Sequence, residues 1–538
     1  AQVQPIDELY YNEIAVKIYK YGLSGVINGT WSSTSVANAK TFLIPNLLTA
    51  FSLKIFGNNF WGLKVPYVLM GYCSGILIYI LIRHIVPGKK WIHLLIMISY
   101  VLDFNIFMLS RDAVTVMPCM LACLITVIGV FKISHVSRKW LFLGFWSVVS
   151  FCLVYMGLPF IAVVTGVLLI ISVFSFAENR IRKIVMYFIG ITLGVVTSEI
   201  ASRVFFQQHI IKTIKDTMVA HKGKIGGLPL FKNIGKLIVN FGAYWLSNVF
   251  RYNYILLLFG IISMIVLLIV TVTKKDKIAC ILLTFIGAHW VQTIFLNNMT
   301  ASKAAITYPI LLLGVGYVVS AYYEEFILEK GIKREISLVM IGVFTVGAIW
   351  IEYGATAGTK TSFRYAILFI SLVTALIVCI CILFGKKKIV IIPWVMTLGI
   401  MCSMSFYYAL YNPTYSDREL MKDLGRETSD GMVISGVGFN LYNLCESPAN
   451  IYDYYKGEGC DENTMYQSMI DACYEYDDLY YIGYALGDVR TVDILNELLK
   501  DTPYEFVGVK VYPREYERVE SGSHDSDMVL CKKVLREE

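Results

Sequence analysis

Charged side chains are scarce in this 538-residue chain: they make up 16% of it, against about 25% in an ordinary soluble domain. With 57% hydrophobic residues and a mean hydropathy of +0.61, that scarcity excludes a soluble globular class and points to a chain that crosses a membrane many times. No glycine loop of the Walker type stands beside a lysine. The net charge of +7 is spread in short clusters between apolar runs and forms no basic stripe, so nucleic acid is excluded as a partner. No CxxC or HExxH spacing occurs, which removes support for a structural zinc site. Internal repeats of the kind that build many transporters are lacking too.

The 12 cysteines divide by place. Eight (Cys73, Cys119, Cys123, Cys152, Cys280, Cys379, Cys381, Cys402) fall in apolar runs, where cysteine behaves as a small hydrophobe. Cys445, Cys460, Cys473 and Cys531 lie in the polar C-terminal region. Pairing among those four stays open, since it depends on whether that region meets an oxidising compartment.

What is present is a series of runs of about 20 apolar residues, each able to cross a bilayer as a helix. They lie near 62–85, 91–109, 113–132, 140–157, 158–177, 184–201, 253–273, 278–296, 304–323, 336–352, 363–385 and 389–409. The connections at 83–90, 132–139, 178–183, 274–277, 324–335 and 386–388 each hold three Lys or Arg, and the intervening ones hold few. The positive-inside rule puts the basic set in the cytoplasm. Residues 1–61, the long basic loop 202–252 and the C-terminal region then lie outside. An outer start implies a further helix ahead of residue 1, giving thirteen spans. The expected fold is an α-helical polytopic membrane protein in three parts: a first outer loop (1–61), a transmembrane helical domain (62–410) and an extracytoplasmic α/β domain (411–538).

Within the first part, 42–57 (FLIPNLLTAFSLKIFG) is too short to span and reads as an interfacial amphipathic helix. In the third, strand-like runs at 432–437, 478–484, 505–512 and 527–534 alternate with helical patterns at 439–456, 463–475 and 491–500. Gly436-Val437-Gly438 is a weak phosphate signal, lacking the third glycine and the acid of a dinucleotide site.

Asp7 and Glu8 are adjacent acids ahead of a short helical pattern at 8–21. Local sequence explains them as an N-cap and a helix-dipole partner. Arg111 and Asp112 stand at the outer end of the 91–109 run, either as an interfacial pair or as a phosphate-binding and acid pair. Lys303, Arg251 and Arg203 also end helices on that face, where snorkelling to headgroups explains them as well as phosphate binding does. Asp103, Glu199, His289 and Gln292 fall in the outer halves of their spans. Charges there normally face a cavity, so the cavity is expected to open outward. Asp103 and Asp112, nine residues or roughly 900° of rotation apart, serve one site only if the helix ends between them.

The order of these parts resembles the GT-C superfamily of membrane glycosyltransferases, and within it the protein O-mannosyltransferase and aminoarabinose-transferase branch. Three pieces carry the resemblance: the acid pair Asp7-Glu8, the stretch LKIFGNNFWGLKVPYVLMG (53–71), similar to the family's "lkLFG…alRlP…l.G", and FMLSRDA (107–113), similar to its "SR" motif. Relatives commonly carry a carboxylate a few residues beyond that Arg; here Asp112 follows directly and Thr115 sits farther on.

The resemblance implies a sugar transferase that uses a polyprenyl-phosphate-linked donor, a hexosyl or pentosyl transferase with a cell-envelope glycan, lipid or protein as acceptor. It implies Asp7 as the general base, and Glu8 as a residue that orients it, binds the acceptor or shares a divalent metal. Asp112 would serve acceptor or metal, and Arg111, Lys303 and Arg251 the donor phosphate. The main alternative is a transporter or flippase of lipid-linked sugars. A non-catalytic protein whose outer domain binds a partner, and an envelope polymerase or ligase using loop 202–252, are further ones.

Overall fold

The computed structural model describes residues 12, 14–19, 22–23, 42–110, 113, 115–133, 139–154, 180–212, 214–215, 259–296, 305–322, 417–435, 450–451, 462–484, 491–512 and 528–536. The expected spans at 158–177, 336–352, 363–385 and 389–409 lie outside these residues, as do most of loop 202–252 and Gly436-Val437-Gly438.

Where described, the apolar runs are helices close to the expected places: α1 (Leu43–Phe56), α2 (Phe60–Ile85), α3 (Lys90–Val101), α4 (Phe104–Leu109), α5 (Val116–Ile133), α6 (Trp140–Val149), α7 (Arg180–Phe206), α8 (Ile261–Lys274), α9 (Lys277–Leu296) and α10 (Tyr308–Ala321). With 26 residues, α2 is about 39 Å long at 1.5 Å per residue, enough for a hydrocarbon layer of about 30 Å. Among the described residues, Trp61–Ile85 and Ile181–Phe206 are long and apolar enough to cross a membrane by themselves.

The run 91–109, expected as one helix, is two. It breaks at Leu102-Asp103, and the Asp103 carboxylate accepts the Ile106 N–H at 2.8 Å to start α4. A buried acid able to cap a backbone donor outweighs the apolar pattern there. At Val149 the α-geometry of α6 changes to a π-turn, Ser150–Val154.

Helices α6 and α7 touch backbone to backbone. A Cβ on Gly190 would lie 2.0 Å from the Leu141 carbonyl, and one on Gly144 2.1 Å from that of Tyr187. Small residues allow this approach, which compensates for the missing hydrophobic drive between helices in lipid. Gly190→Val is expected to separate the two helices and cut the yield of folded protein in membranes severalfold, measured by size-exclusion recovery after detergent extraction.

Contacts between distant segments sort the helix ends into two groups. At one end Lys89 Nζ donates to the Ser320 carbonyl at 2.6 Å. Asp276, between α8 and α9, accepts from the hydroxyls of Tyr317 (2.6 Å) and Tyr322 and from the Ala279 N–H (3.0 Å). Burial pushes the Asp276 carboxyl up, but the two hydroxyls and the backbone donors outweigh it and hold it below the usual carboxylate range. Lys274 lies 5.0 Å over the Tyr322 ring. These residues belong to, or adjoin, connections that the charge pattern assigns to one side. At the other end, residues 14–18 meet α1, the end of α6 with its π-turn, and the end of α7: Ile14, Ala15, Val16 and Ile18 share a buried cluster with Leu53, Leu153, Phe206 and Ile210.

The described C-terminal residues build a five-stranded sheet, in the order β2-β1-β3-β5-β4. Its parts are α11 (Asp417–Glu427), β1 (Met432–Ser435), β2 (Asn450–Ile451), α12 (Glu462–Glu475), β3 (Leu479–Tyr484), α13 (Thr491–Leu498), β4 (Tyr504–Tyr512) and β5 (Met528–Leu535). The first three neighbours are parallel, and β5 runs antiparallel to both β3 and β4. All four expected strands are found. The helical pattern at 439–456 is corrected in part, because Asn450 and Ile451 pair with Met432 and Val433 as a strand. One sheet face packs on α12 and α13 through Ile434, Phe506, Cys473 and Leu495. Val433, Tyr480, Ile482 and Leu530 of the other face belong to the same buried cluster as the apolar helices.

Cys473 and Cys531 are free thiols buried in that sheet core, and burial pushes each up to about 11. They are therefore protonated and unreactive near neutral pH. Cys445 and Cys460 lie outside the described residues. Lys533 reaches under the sheet to the end of α12, where its Nζ donates to the carbonyls of Cys473 (2.9 Å) and Tyr476. It also lies 4.7 Å over the Tyr504 ring. A cation suits the negative end of a helix. Lys533→Met removes both of these hydrogen bonds and is expected to destabilise this unit by about 1–3 kcal/mol, read by limited proteolysis across residues 417–538 of the full chain in urea.

Candidate functional site

Asp7, Glu8, Arg111, Asp112, Lys303 and Arg251 lie outside the described residues. The residues that flank two of these groups are described, and they are joined.

Asn12 follows the acid pair and Ala113 follows Asp112. The Asn12 Nδ2 donates to the Ala113 carbonyl at 2.6 Å across 101 residues of sequence. The Asn12 Oδ1 accepts from the Tyr67 hydroxyl at 2.7 Å. All three residues are fully buried. Because a carbonyl can only accept, the amide has one orientation here: nitrogen to Ala113, oxygen to Tyr67. Four residue-to-residue steps separate Asn12 from Glu8, a reach of at most about 14 Å, and Asp7 is one step further. Asp112 is the immediate neighbour of the other anchor.

A second buried amide holds the same helical segment from the α1 side. Asn46 Oδ1 accepts the Ala15 N–H at 2.9 Å, and its Nδ2 donates to the Phe42 carbonyl at 2.8 Å. Helix α1 packs on α2, and its other face leaves Leu48, Phe51, Ile55 and Phe56 exposed. The link from α1 to α2 is the FGNNFWG stretch of the family-like motif. Gly57 has φ 83° there, and a Cβ on Gly62 would lie 2.2 Å from the Gly57 carbonyl, so both positions require glycine. Asn59 caps α2 by accepting the Gly62 N–H at 3.0 Å. Pro66 sits one residue before Tyr67. The motif thus builds the corner that delivers Tyr67 to Asn12.

Two acids expected to face an open cavity are used locally. Asp103 is fully buried and caps α4. Glu199 accepts from Arg203 Nε at 2.6 Å and the Ile210 N–H at 2.9 Å, and lies 2.8 Å from His209 Nδ1. This closes the turn at the end of α7, where Gln207 has φ 50°. Arg203, considered for phosphate, has its Nε on Glu199 and Nη2 3.0 Å from His209. His289 and Gln292 fall on α9, which runs unbroken past both; their side chains lie outside the description. Among the described residues, no three His, Cys, Asp or Glu side chains gather as metal ligands.

Sequence reasoning missed Asn12, Asn46 and Tyr67. The available signal was an asparagine in the apolar run FLIPNLL and another directly ahead of EIAVKIY. A buried amide needs partners, so each marks a tertiary hydrogen bond.

No protein-family model and no curated protein matches the chain. Two solved structures do. ArnT from Cupriavidus metallidurans bound to undecaprenyl phosphate is similar at a TM-score of 0.55 and 10% identity, over 98% of this chain and 94% of that one. The apo state of the same protein gives 0.51 and 10%, over 97% and 93%. The chain shares the fold of that protein along nearly its whole length.

Proposed function

We propose that this protein is a membrane glycosyltransferase that moves a sugar from a polyprenyl-phosphate-linked donor to a cell-envelope acceptor at the outer membrane face. The Asn12–Ala113 hydrogen bond carries the proposal: it supports one reaction centre for the Asp7-Glu8 and Arg111-Asp112 segments, which are far apart in sequence. The ArnT likeness supports the class of donor, since that protein is bound to undecaprenyl phosphate.

In the reaction, an acceptor hydroxyl or amine attacks the anomeric carbon, and the bond from that carbon to the lipid phosphate breaks. Asp7 takes the acceptor's proton, and Glu8 orients Asp7 or the acceptor. Arg111, Lys303 and Arg251 stabilise the phosphate as it gains charge in the transition state. Asp7, Glu8 and Asp112 offer oxygen donors of the kind that hold Mg²⁺, Ca²⁺ or Mn²⁺, so assays with and without chelator decide metal use. The first loop, loop 202–252 and residues 411–538 lie outside the membrane in this scheme, and the three-lysine or arginine connections inside. The C-terminal domain positions the acceptor.

The test is a panel of radiolabelled polyprenyl-phosphate sugars supplied to the full-length protein in proteoliposomes, with envelope extracts as acceptor. Label entering the acceptor fraction from at least one donor is the expected outcome. No transfer from any donor removes the proposal.

A further inference from the structure

We propose that Asn12 is a positioning residue whose side-chain amide fixes the register of the first-loop carboxylates relative to the Arg111-Asp112 segment. The inference rests on the glycosyl-transfer reading above and deepens it by identifying what aligns the two halves of the site.

Two kinds of contact hold the helical segment 14–19, and they do different things. Ile14, Val16 and Ile18 sit in an apolar socket with Leu53, Leu153, Phe206 and Ile210. Such packing resists removal of the segment but is non-directional, so it leaves small shifts along the socket inexpensive. The hydrogen bonds are directional. Asn12 binds a carbonyl that leads into α5, whose first residues Val116 and Met117 are in the main core, and a hydroxyl on α2, which is in that core too. Asn46 binds the Ala15 N–H from α1. The segment is therefore tied at residue 12 to α2 and α5, and at residue 15 to α1.

Only an amide serves at residue 12, because one end must donate and the other accept at nearly fixed shape. Aspartate keeps the acceptor toward Tyr67 but sets a carboxylate oxygen against the Ala113 carbonyl. The socket and the Asn46–Ala15 bond still hold the segment, while its tie to the Ala113 carbonyl is replaced by repulsion and residue 12 shifts away from it. Misplacement by about 1 Å can cost about a hundredfold in rate.

The experiment compares wild type, Asn12→Asp, Tyr67→Phe and the double variant as full-length protein in lipid nanodiscs. Hydrogen exchange is followed across residues 12–23 and across α2 and α5, and steady-state transfer is measured from the polyprenyl-phosphate sugar that wild type uses. The expected result for Asn12→Asp is faster exchange in 12–23 with α2 and α5 unchanged. Its kcat falls by about ten- to a hundredfold, and KM for the donor stays within about twofold. Tyr67→Phe moves both readouts the same way by less, and the double variant, which loses both bonds, is at least as impaired as Asn12→Asp alone.

A purely structural Asn12 would lower the amount of folded protein and leave kcat per folded molecule intact, and that result overturns the proposal. Unchanged exchange across 12–23 overturns it as well. Tyr67→Phe, which removes one oxygen and keeps the ring, decides the matter if Asn12→Asp does not fold. If wild type transfers no polyprenyl-phosphate sugar, the glycosyltransferase reading fails, and the exchange measurements still decide the clamp.

Discussion

Asp7→Asn is expected to reduce transfer from a polyprenyl-phosphate sugar by about 10²–10⁴-fold, the range a positioned general base contributes. The substitution keeps shape and any N-capping ability, since asparagine caps helices as well as aspartate does. A drop therefore reports the lost base, not a lost cap. KM for the donor is expected to change little, because Asp7 acts on the acceptor proton. Initial rates in proteoliposomes across a range of donor concentrations check both points. If Asp7 is only a helix cap, Asn at this position transfers at the wild-type rate.

The second large effect is expected at Arg111. Its removal as Arg111→Ala should lower kcat by about 10²–10³-fold, the loss seen when one fixed donor to a developing anion is deleted. Arg111→Lys should recover part of this, keeping the charge without the planar two-pronged donor that fits phosphate oxygens. A plain interfacial anchor behaves otherwise: lysine reaches headgroups as well as arginine does, and both variants would then transfer normally. Rates at saturating donor for the three proteins separate the two roles.

Most of the described helix positions were legible because a bilayer demands long apolar runs and charge marks their ends. Runs 62–85, 113–132, 278–296 and 304–323 lie within a few residues of α2, α5, α9 and the segment from Ala305 to Ala321. The break at Asp103 was not legible, because one buried carboxylate bonded to one backbone N–H changes the helix without changing hydropathy. Likewise Asn450-Ile451 become a strand through pairing with β1, a partner that local pattern does not contain.

The candidate site divides the same way. Charge bookkeeping singled out Asp7, Glu8, Arg111 and Asp112, but the joint between their segments is made by neutral groups: the Asn12 amide, the Tyr67 hydroxyl and the Ala113 carbonyl. Those groups carry no signature in charge or periodicity. The same bookkeeping gave Asp103 and Glu199 a share in a cavity, whereas both are occupied with backbone or ion-pair partners close in sequence. Motif 53–71, noted for its likeness to a family pattern, has a local physical cause in the Gly57–Gly62 corner that brings Tyr67 into place.

The most direct measurement follows the fate of one labelled lipid donor in sealed proteoliposomes holding wild type or Asp7→Asn. Glycosyl transfer requires free polyprenyl phosphate and glycosylated acceptor to appear in equal amounts with wild type, and neither to appear with Asp7→Asn. The account is contradicted if the donor crosses the bilayer intact with no polyprenyl phosphate released, or if both proteins release it at the same rate.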